Sequence, residues 1–217
     1  MVSIAERAPT SGTPDQAECL RRQSILNAAS ALLEEEGLEG LTIRAMLKRT
    51  GLARRAFYER FAGKDDLVLS VFEETLRAAA TFFDEAIAEQ PDPLSQIHAI
   101  ISGLVLGGQQ MENPGIGVRM VSAIVREHMR LAQTHPAELE RALAPLLGVL
   151  ADRISAGIRQ GQLRDSDPAL QATLIYNLIA STIHTELLRE EDARPDGEGR
   201  QRLADAIWEF CRRAIVA

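Results

Sequence analysis

The chain has 217 residues, of which 46% are hydrophobic and 25% charged, and its formal net charge is −7. This composition indicates a globular protein with one large domain, or with a small domain joined to a larger one. The sequence contains no apolar run of the roughly 18–20 residues that span a bilayer, and its N-terminus does not resemble a secretory signal. Cys19 and Cys211 lie far apart in sequence, so a disulfide framework is not expected. We expect a cytoplasmic protein that does not contact membranes.

Positive charge is concentrated in one segment, residues 42–64. This segment holds seven basic residues and a single acidic one, Glu59, whereas the residues after Lys64 hold 14 basic and 23 acidic side chains. A basic patch on an acidic protein is typical of a surface that binds a polyanion such as nucleic acid. The alternative is a chance cluster on a solvated surface.

Residues 1–16 are predicted to be a disordered arm, and three short helices are predicted after it. Apolar residues at helical spacing and a terminating glycine define the first helix: Ile25, Ala28, Ala29, Leu32, Leu33 and Gly37. Thr42 is placed to cap the second helix, which ends at Gly51. The third helix is predicted over 54–61. Two short helices joined by a tight turn with a glycine are the pattern of a helix-turn-helix, whose second helix enters the major groove of DNA.

The rest of the chain is also predicted to be helical. A long helix has Asp65 and Asp66 in its first turn, where acidic groups suit the helix dipole. Further helices are predicted over about 93–110, 118–132, 136–160, 167–189 and 199–215, with loops at 111–117 and 190–199. The sequence shows no alternating strand pattern and no internal repeat. It therefore predicts an all-α fold, with a helix-turn-helix domain at 17–66 and a larger helical domain at 67–217.

The last two predicted helices have unusually broad apolar surfaces. The penultimate helix carries Leu170, Leu174, Ile175, Leu178, Ile179 and Ile183. The last helix carries Leu203, Ile207, Trp208, Phe210 and Cys211. A helix that is apolar over a wide arc must be buried from more than one side. Such helices are either central core helices of a monomer or parts of an intermolecular four-helix bundle in a dimer.

Residues 25–68, "ILNAASALLEEEGLEGLTIRAMLKRTGLARRAFYERFAGKDDLV", resemble the N-terminal DNA-binding domain of TetR-family transcriptional regulators. The resemblance rests on the Ile-Leu-x-x-Ala-Ala helix, "EEGLEGLTI", Gly51 in the turn, "FYERF" and Gly63-Lys64-Asp65. It implies a homodimer that binds a palindromic operator in double-stranded DNA, a repressor that a small-molecule effector releases. The later helices match the family's effector-binding and dimerisation domain in outline, with the dimer formed by the last two helices.

The basic segment predicts specific DNA contacts. Arg54 and Arg55 stand at the start of the recognition helix, where the fork of an arginine can pair with O6 and N7 of guanine. The resemblance implies that Thr42, Tyr58 and Lys64 contact the DNA backbone. The predicted DNA-binding residues are Thr42, Arg44, Arg54, Arg55, Tyr58, Arg60 and Lys64.

Several residues near the recognition helix have more than one interpretation. Arg44, Lys48 and Arg49 are either phosphate contacts or solvated surface residues. Phe57 and Phe61 lie four residues apart and are expected to anchor the helix to the core. Family members often have Ser or Thr where this chain has Ala53, so the usual side-chain cap is absent.

Polar residues on otherwise apolar helices are candidates for an effector pocket, which only the resemblance implies. They are His98, Ser102, Gln109, His128, Asn177, Ser181 and His184, together with Ile124 on the same stripe as His128. Each of the polar residues could instead be a hydrogen-bonded core or boundary residue. No two histidines have the i, i+4 spacing of a helical metal site, so neither a metal nor another cofactor is expected. Cys211 is either an inert buried thiol or a thiol sensor that faces its twin across a dimer.

Two other functions compete with this interpretation. The sequence has no Gly-rich phosphate loop, no paired-histidine motif and no nucleophile elbow, so it does not predict an enzyme. The second alternative is a DNA-binding regulator without a small effector, controlled by a protein partner.

Overall fold

A computed structural model of the chain describes residues 14–106, 118–189 and 197–217, which form nine helices. They are α1 (Pro14–Gly40), α2 (Ile43–Thr50), α3 (Arg54–Tyr58), α4 (Lys64–Ala86), α5 (Pro93–Leu106), α6 (Val118–Thr134), α7 (Pro136–Arg159), α8 (Pro168–Arg189) and α9 (Gly197–Ile215). Within these residues the β-type pairing is limited to an isolated antiparallel bridge between Leu163 and Val216. The predicted all-α fold is confirmed.

Helices α1 to α3 and the first two turns of α4 surround one apolar core. Thr42 caps α2 as predicted, because its Oγ1 accepts a hydrogen bond from the N–H of Ala45 at 3.1 Å. Gly51 ends α2 with a left-handed φ of 68°, which a side chain would disfavour. The core contains Ile25, Leu26, Ala29, Leu32, Leu33, Leu41, Met46, Phe57, Phe61, Leu67, Val68 and Val71.

The second core begins at Phe72, one residue further along α4. Helix α4 packs against α7, α5 lies against α7 and α9, and α8 packs against α7 and α6. One continuous helix, α4, therefore contributes to both cores, and Ile124 of α6 packs against both.

The structure corrects several predicted element bounds. The third helix ends at Tyr58 instead of residue 61, and just beyond it the N–H of Arg60 donates to the carbonyl oxygen of Phe57 three residues earlier, the tighter pattern of a helix end. Residues 14–16 of the predicted arm form the start of α1, and residues 1–13 lie outside the described residues. Helix α1 extends to Gly40. Its helical geometry is interrupted at Gly37, where φ is 71°, and Gly37 is the end that the sequence predicts. The loop at 111–117, and 190–196 of the second loop, also lie outside the described residues.

None of the helices in the described part of the chain combines the length and the apolar character needed to cross a lipid bilayer. The same residues contain no cluster of three or more His, Cys, Asp or Glu side chains that could hold a metal ion.

Candidate nucleic-acid interface

The recognition helix α3 is only five residues long and is held in place by two phenyl rings. Phe57 and Phe61 are fully buried, and their ring centroids lie 5.5 Å apart in a stacked arrangement. Ala53 precedes the helix and has no side chain that could cap it. The two buried phenyl rings therefore anchor a helix that has no side-chain cap, and the structural role predicted for Phe57 and Phe61 is confirmed.

Three side chains point to solvent from the other side of α3. Arg54 lies over the ring of Tyr58, with 5.6 Å between its guanidinium carbon and the ring centroid, and its Nη2 donates to the hydroxyl of Tyr58 at 3.4 Å. Arg55 is highly exposed, with 90% of its side chain accessible, and its Nε donates to Glu59 at 2.9 Å. The two arginines predicted to read bases are therefore exposed, but each has a different neighbour on its own helix.

A second basic surface lies at the start of α2. A surface groove of about 510 Å³ is lined by Leu32, Glu36, Thr42, Arg44, Ala45, Lys48 and Arg49. Thr42 and Arg44 are exposed at its rim. Because a hydroxyl can donate one hydrogen bond while it accepts another, Thr42 can cap α2 and still donate to a phosphate oxygen. This groove is basic and exposed, and most of its residues directly precede the recognition helix in sequence. These properties favour contact with the phosphates of a DNA backbone.

Arg49 is paired within the protein. Its two terminal nitrogens donate to the two carboxylate oxygens of Glu35 at 2.6 and 2.5 Å. These hydrogen bonds lower the pKa of the Glu35 carboxyl and raise that of Arg49. A bidentate pair offsets the charge of Arg49, so Arg44 and Lys48 supply the net positive charge in this groove.

Arg60 does not share the exposed surface to which the sequence assigned it. Only 4% of its side chain is accessible, and the guanidinium contacts the carboxylate of Glu18 on α1 and the carbonyl oxygen of Ala56. The guanidinium therefore joins the end of α3 to α1. This position favours a structural role over contact with DNA.

Lys64 is the first residue of α4, and its ammonium donates to the carbonyl oxygen of Leu38 at 3.3 Å. An ammonium has three donors, so the others remain free to reach a phosphate. The neighbouring Asp66 accepts a hydrogen bond from the N–H of Ala62 at 2.9 Å and so ties the turn before α4 to the helix. Lys64 is half-buried and held beside the turn that follows the recognition helix.

The two cores meet at a tightly packed junction. Leu33, Leu38, Val68, Val71, Phe72, Ile124 and Glu127 line a residual space of about 10 Å³, close to the smallest that holds one water. Beside it, Arg130 of α6 contacts Glu127 at 2.7 Å and Asp65 of α4 at 3.1 Å. The sequence pattern does not predict this link. The sequence does contain one signal for it, because Glu127 and Arg130 are three residues apart beside an apolar stripe of α6.

The candidate effector residues do not form one group. His128 is 8% exposed, its ring contacts the ring of Tyr176 edge-on at 5.5 Å, and its Nδ1 has no hydrogen-bond partner within the described residues. Burial lowers the pKa of His128, so its imidazole is neutral at pH 7. His184 also has a buried Nδ1 without a partner among these residues. Tyr176 is buried, and the sequence pattern does not predict its place beside His128.

The other candidates lie elsewhere. His98 stacks on Trp208 of α9 with 4.6 Å between the ring centroids, which makes it a packing contact between α5 and α9. Ser102 is half-buried, and Ile124 lies at the junction of the cores. Asn177 and Ser181 are exposed on the outer side of α8, away from the core. Gln109 lies outside the described residues.

The outer face of α8 and α9 is partly apolar. Leu170, Leu174 and Phe210 are 56%, 58% and 66% exposed, although Ile175, Ile179 and Ile207 on the same helices are buried in the core. The broad apolar arcs are therefore buried on one side within the chain and open on the other. Large apolar side chains that stay exposed on two neighbouring helices favour an interaction surface there.

Comparison with known proteins agrees with this geometry. The family model "Bacterial regulatory proteins, tetR family" matches residues 25–71. The fatty acid metabolism regulator protein of Bacillus subtilis is 21% identical over 171 residues, which cover 77% of this chain and 84% of that protein. The crystal structure of B. subtilis FadR with stearoyl-CoA has a TM-score of 0.65 at 19% identity and covers 87% of this chain and 96% of that one. A Saccharomonospora viridis transcriptional regulator in complex with choline has a TM-score of 0.67 at 17% identity, covering 92% and 99%.

The matched segment contains the helix-turn-helix, with its exposed arginines on α3 and the capped start of α2. The structural similarity extends over both cores. Residues 25–71 therefore match the DNA-binding domain of the TetR family, and the relatives and the shared fold support a TetR-family transcriptional regulator.

Proposed function

We propose that this protein is a homodimeric repressor that binds a palindromic operator and leaves it when a small molecule binds among the helices of the larger core. The observation that carries this proposal is the pair of exposed arginines on a helix whose other side is anchored by Phe57 and Phe61. In this proposal Arg54 and Arg55 meet base edges, and Thr42, Arg44, Lys48, Tyr58 and Lys64 meet phosphates.

The apolar outer face of α8 and α9 supports the dimer. A second copy that covers Leu170, Leu174 and Phe210 would remove large apolar side chains from water. Two copies related by a twofold axis place two recognition helices in successive major grooves, which lie about 34–36 Å apart. Asn177 and Ser181 then belong to the dimer face and not to the effector site.

The effector site is proposed around His128 and Tyr176. A buried imidazole with an unpartnered nitrogen is the kind of polar group that orients a ligand in an apolar pocket. Relatives of known structure hold stearoyl-CoA or choline, which supports a small molecule as the effector and makes these two compounds the first to test.

The link between the sites runs through α6. Glu127 directly precedes His128, and Arg130 follows it by two residues. Arg130 contacts Asp65, which is next to Lys64 in the chain. A ligand that favours a different position of α6 would change how the helix-turn-helix sits relative to its dimer twin. The free energy of operator binding that is lost equals the difference in the ligand's binding free energy between the two conformations.

The test begins with selection of duplexes from a random-sequence library by the purified full chain. Fluorescence anisotropy then measures the affinity for the selected duplex and for a scrambled one, and thermal shift screens a panel that starts with stearoyl-CoA and choline. We expect a true effector to raise the melting temperature by mass action and to release the duplex.

The alternative is a regulator that answers to a protein partner. It predicts that the dialysable fraction of an extract from the native host leaves the complex with DNA intact, whereas the retained protein fraction releases it. A chain that enriches no duplex sequence, or that stays monomeric at micromolar concentration, would contradict the main proposal.

A further inference from the structure

Arg54 and Tyr58 form a small assembly on the exposed side of α3. The two residues are one helical turn apart, so both side chains project from the same face. The guanidinium carbon lies 5.6 Å from the ring centroid, and Nη2 lies 3.4 Å from the phenolic oxygen. The ring face and the hydroxyl of Tyr58 together restrict the orientations that Arg54 can adopt.

The ring of Tyr58 is itself held by the core. It meets the ring of Phe57 edge-on, with 5.2 Å between centroids and 83° between planes. Phe57 is fully buried and stacks on Phe61. The buried phenyl rings therefore support the Tyr58 ring, and this ring in turn restricts the guanidinium of Arg54.

Arg55 provides an internal comparison on the same helix. It pairs with the carboxylate of Glu59, which offsets its charge, and it remains largely exposed. Tyr58 is a neutral phenol, so it orients Arg54 without cancelling the positive charge that attracts DNA. A restricted, fully charged arginine loses less conformational freedom when it binds than a free one does.

We propose that Tyr58 is a positioning residue that orients Arg54 toward a guanine, and that it thereby determines base preference as well as contacting the DNA backbone. The inference rests on the proposed function. Guanine is the base that presents two acceptors, O6 and N7, to the planar fork of an arginine. A phenolic hydroxyl can accept from Arg54 and donate to a phosphate at the same time, which would fix the base contact in register with the backbone.

The experiment compares Tyr58→Phe, Tyr58→Leu and Arg54→Ala with the unaltered chain. Phe keeps the ring that lies under Arg54 and lacks the hydroxyl, whereas Leu removes both. Base preference is measured by selection from a randomised duplex library. Binding is then titrated against the duplex that the unaltered chain selects, against a scrambled duplex, and against the selected duplex with 7-deazaguanine in place of each guanine in turn. Melting temperatures confirm that each variant is folded.

We expect Arg54→Ala to lose preference for guanine at one position of each half-site. Tyr58→Leu should weaken the preference at that same position by roughly two- to fivefold, the contribution of an exposed contact between a cation and a ring. Its penalty for 7-deazaguanine there should shrink accordingly. Tyr58→Phe should bind the selected and scrambled duplexes more weakly by the same factor, and should keep most of the base preference.

Equal weakening on every duplex by Tyr58→Leu, with base preference unchanged at every position, would overturn the inference and leave Tyr58 as a backbone contact alone. Loss of preference at a position that Arg54→Ala does not affect would also overturn it. If the unaltered chain enriches no sequence, the proposed function fails, and this inference fails with it.

Discussion

Arg130 of α6 reaches Asp65 in the first turn of α4, with 3.1 Å between Nη2 and Oδ1, while its guanidinium also contacts Glu127 at 2.7 Å. The Glu127 side chain is only 8% exposed, whereas that of Arg130 is 37% exposed. Arg130 therefore joins the larger core to the helix-turn-helix and also supplies the charge that a buried carboxylate needs.

Arg130→Met should destabilise the protein, because it leaves the buried carboxylate of Glu127 without this partner. We expect a loss of about 1–3 kcal/mol in the free energy of unfolding, measured by urea denaturation. Arg141→Met is the matched control, since Arg141 pairs with Glu138 three residues before it at 3.7 Å but is 75% exposed. Equal effects of the two substitutions would contradict the assigned role of Arg130.

Arg44→Met and Arg60→Met should separate a DNA contact from a structural residue. Arg44 is exposed beside the α2 groove, so its loss should weaken binding to all duplexes and flatten the slope of log affinity against log salt by roughly 0.9. Arg60 is buried against Glu18, so its loss should lower the melting temperature and leave the slope unchanged. A flatter slope for Arg60→Met at an unchanged melting temperature would return Arg60 to the DNA interface.

Leu174→Glu and Phe210→Glu should each produce a monomer, because a charge at an apolar dimer face remains unpaired when the face is covered. Sedimentation velocity at micromolar concentration measures the change. Leu20→Glu is the control, because Leu20 is 71% exposed but lies on α1, far along the chain from α8 and α9. A dimer that survives both substitutions, or that Leu20→Glu disrupts, would place the interface elsewhere.

His128 should make stability depend on pH in the acidic range. Burial lowers the pKa of His128 below its ordinary value of 6.5, so the folded protein keeps the imidazole neutral while the unfolded chain binds a proton below about pH 6.5. Its contribution to stability is therefore present above that pH and is lost as the pH falls. Melting temperatures between pH 7.5 and 5 should fall less steeply for His128→Phe than for the unaltered chain, and parallel curves would refute this.

The two cysteines should react very differently with iodoacetamide. Burial raises the pKa of the Cys211 thiol to about 11, so almost none of it is the reactive thiolate at pH 8, whereas Cys19 is exposed. Mass spectrometry should find one alkylated cysteine per folded chain and two after denaturation. Rapid modification of Cys211 in the folded protein would revive its interpretation as a thiol sensor.

Local features of the sequence determined the helix-turn-helix. Thr42 and Gly51 mark the two ends of α2 because capping and a left-handed φ depend on residues next to one another in the chain. Phe57 and Phe61 were identified as core residues from their spacing alone, and the structure buries both. The basic cluster was equally visible, because charge can be counted without a fold.

Only the tertiary structure decided which of these charges face solvent. Arg60 pairs with Glu18, 42 residues earlier in the chain, and Arg49 is paired because α1 brings Glu35 next to it. The tertiary structure also turned Asn177 and Ser181 outward, and it brought together His98 and Trp208, and Arg130 and Asp65. Helical periodicity shows which residues share a face, but which helix covers that face depends on contacts between distant parts of the chain.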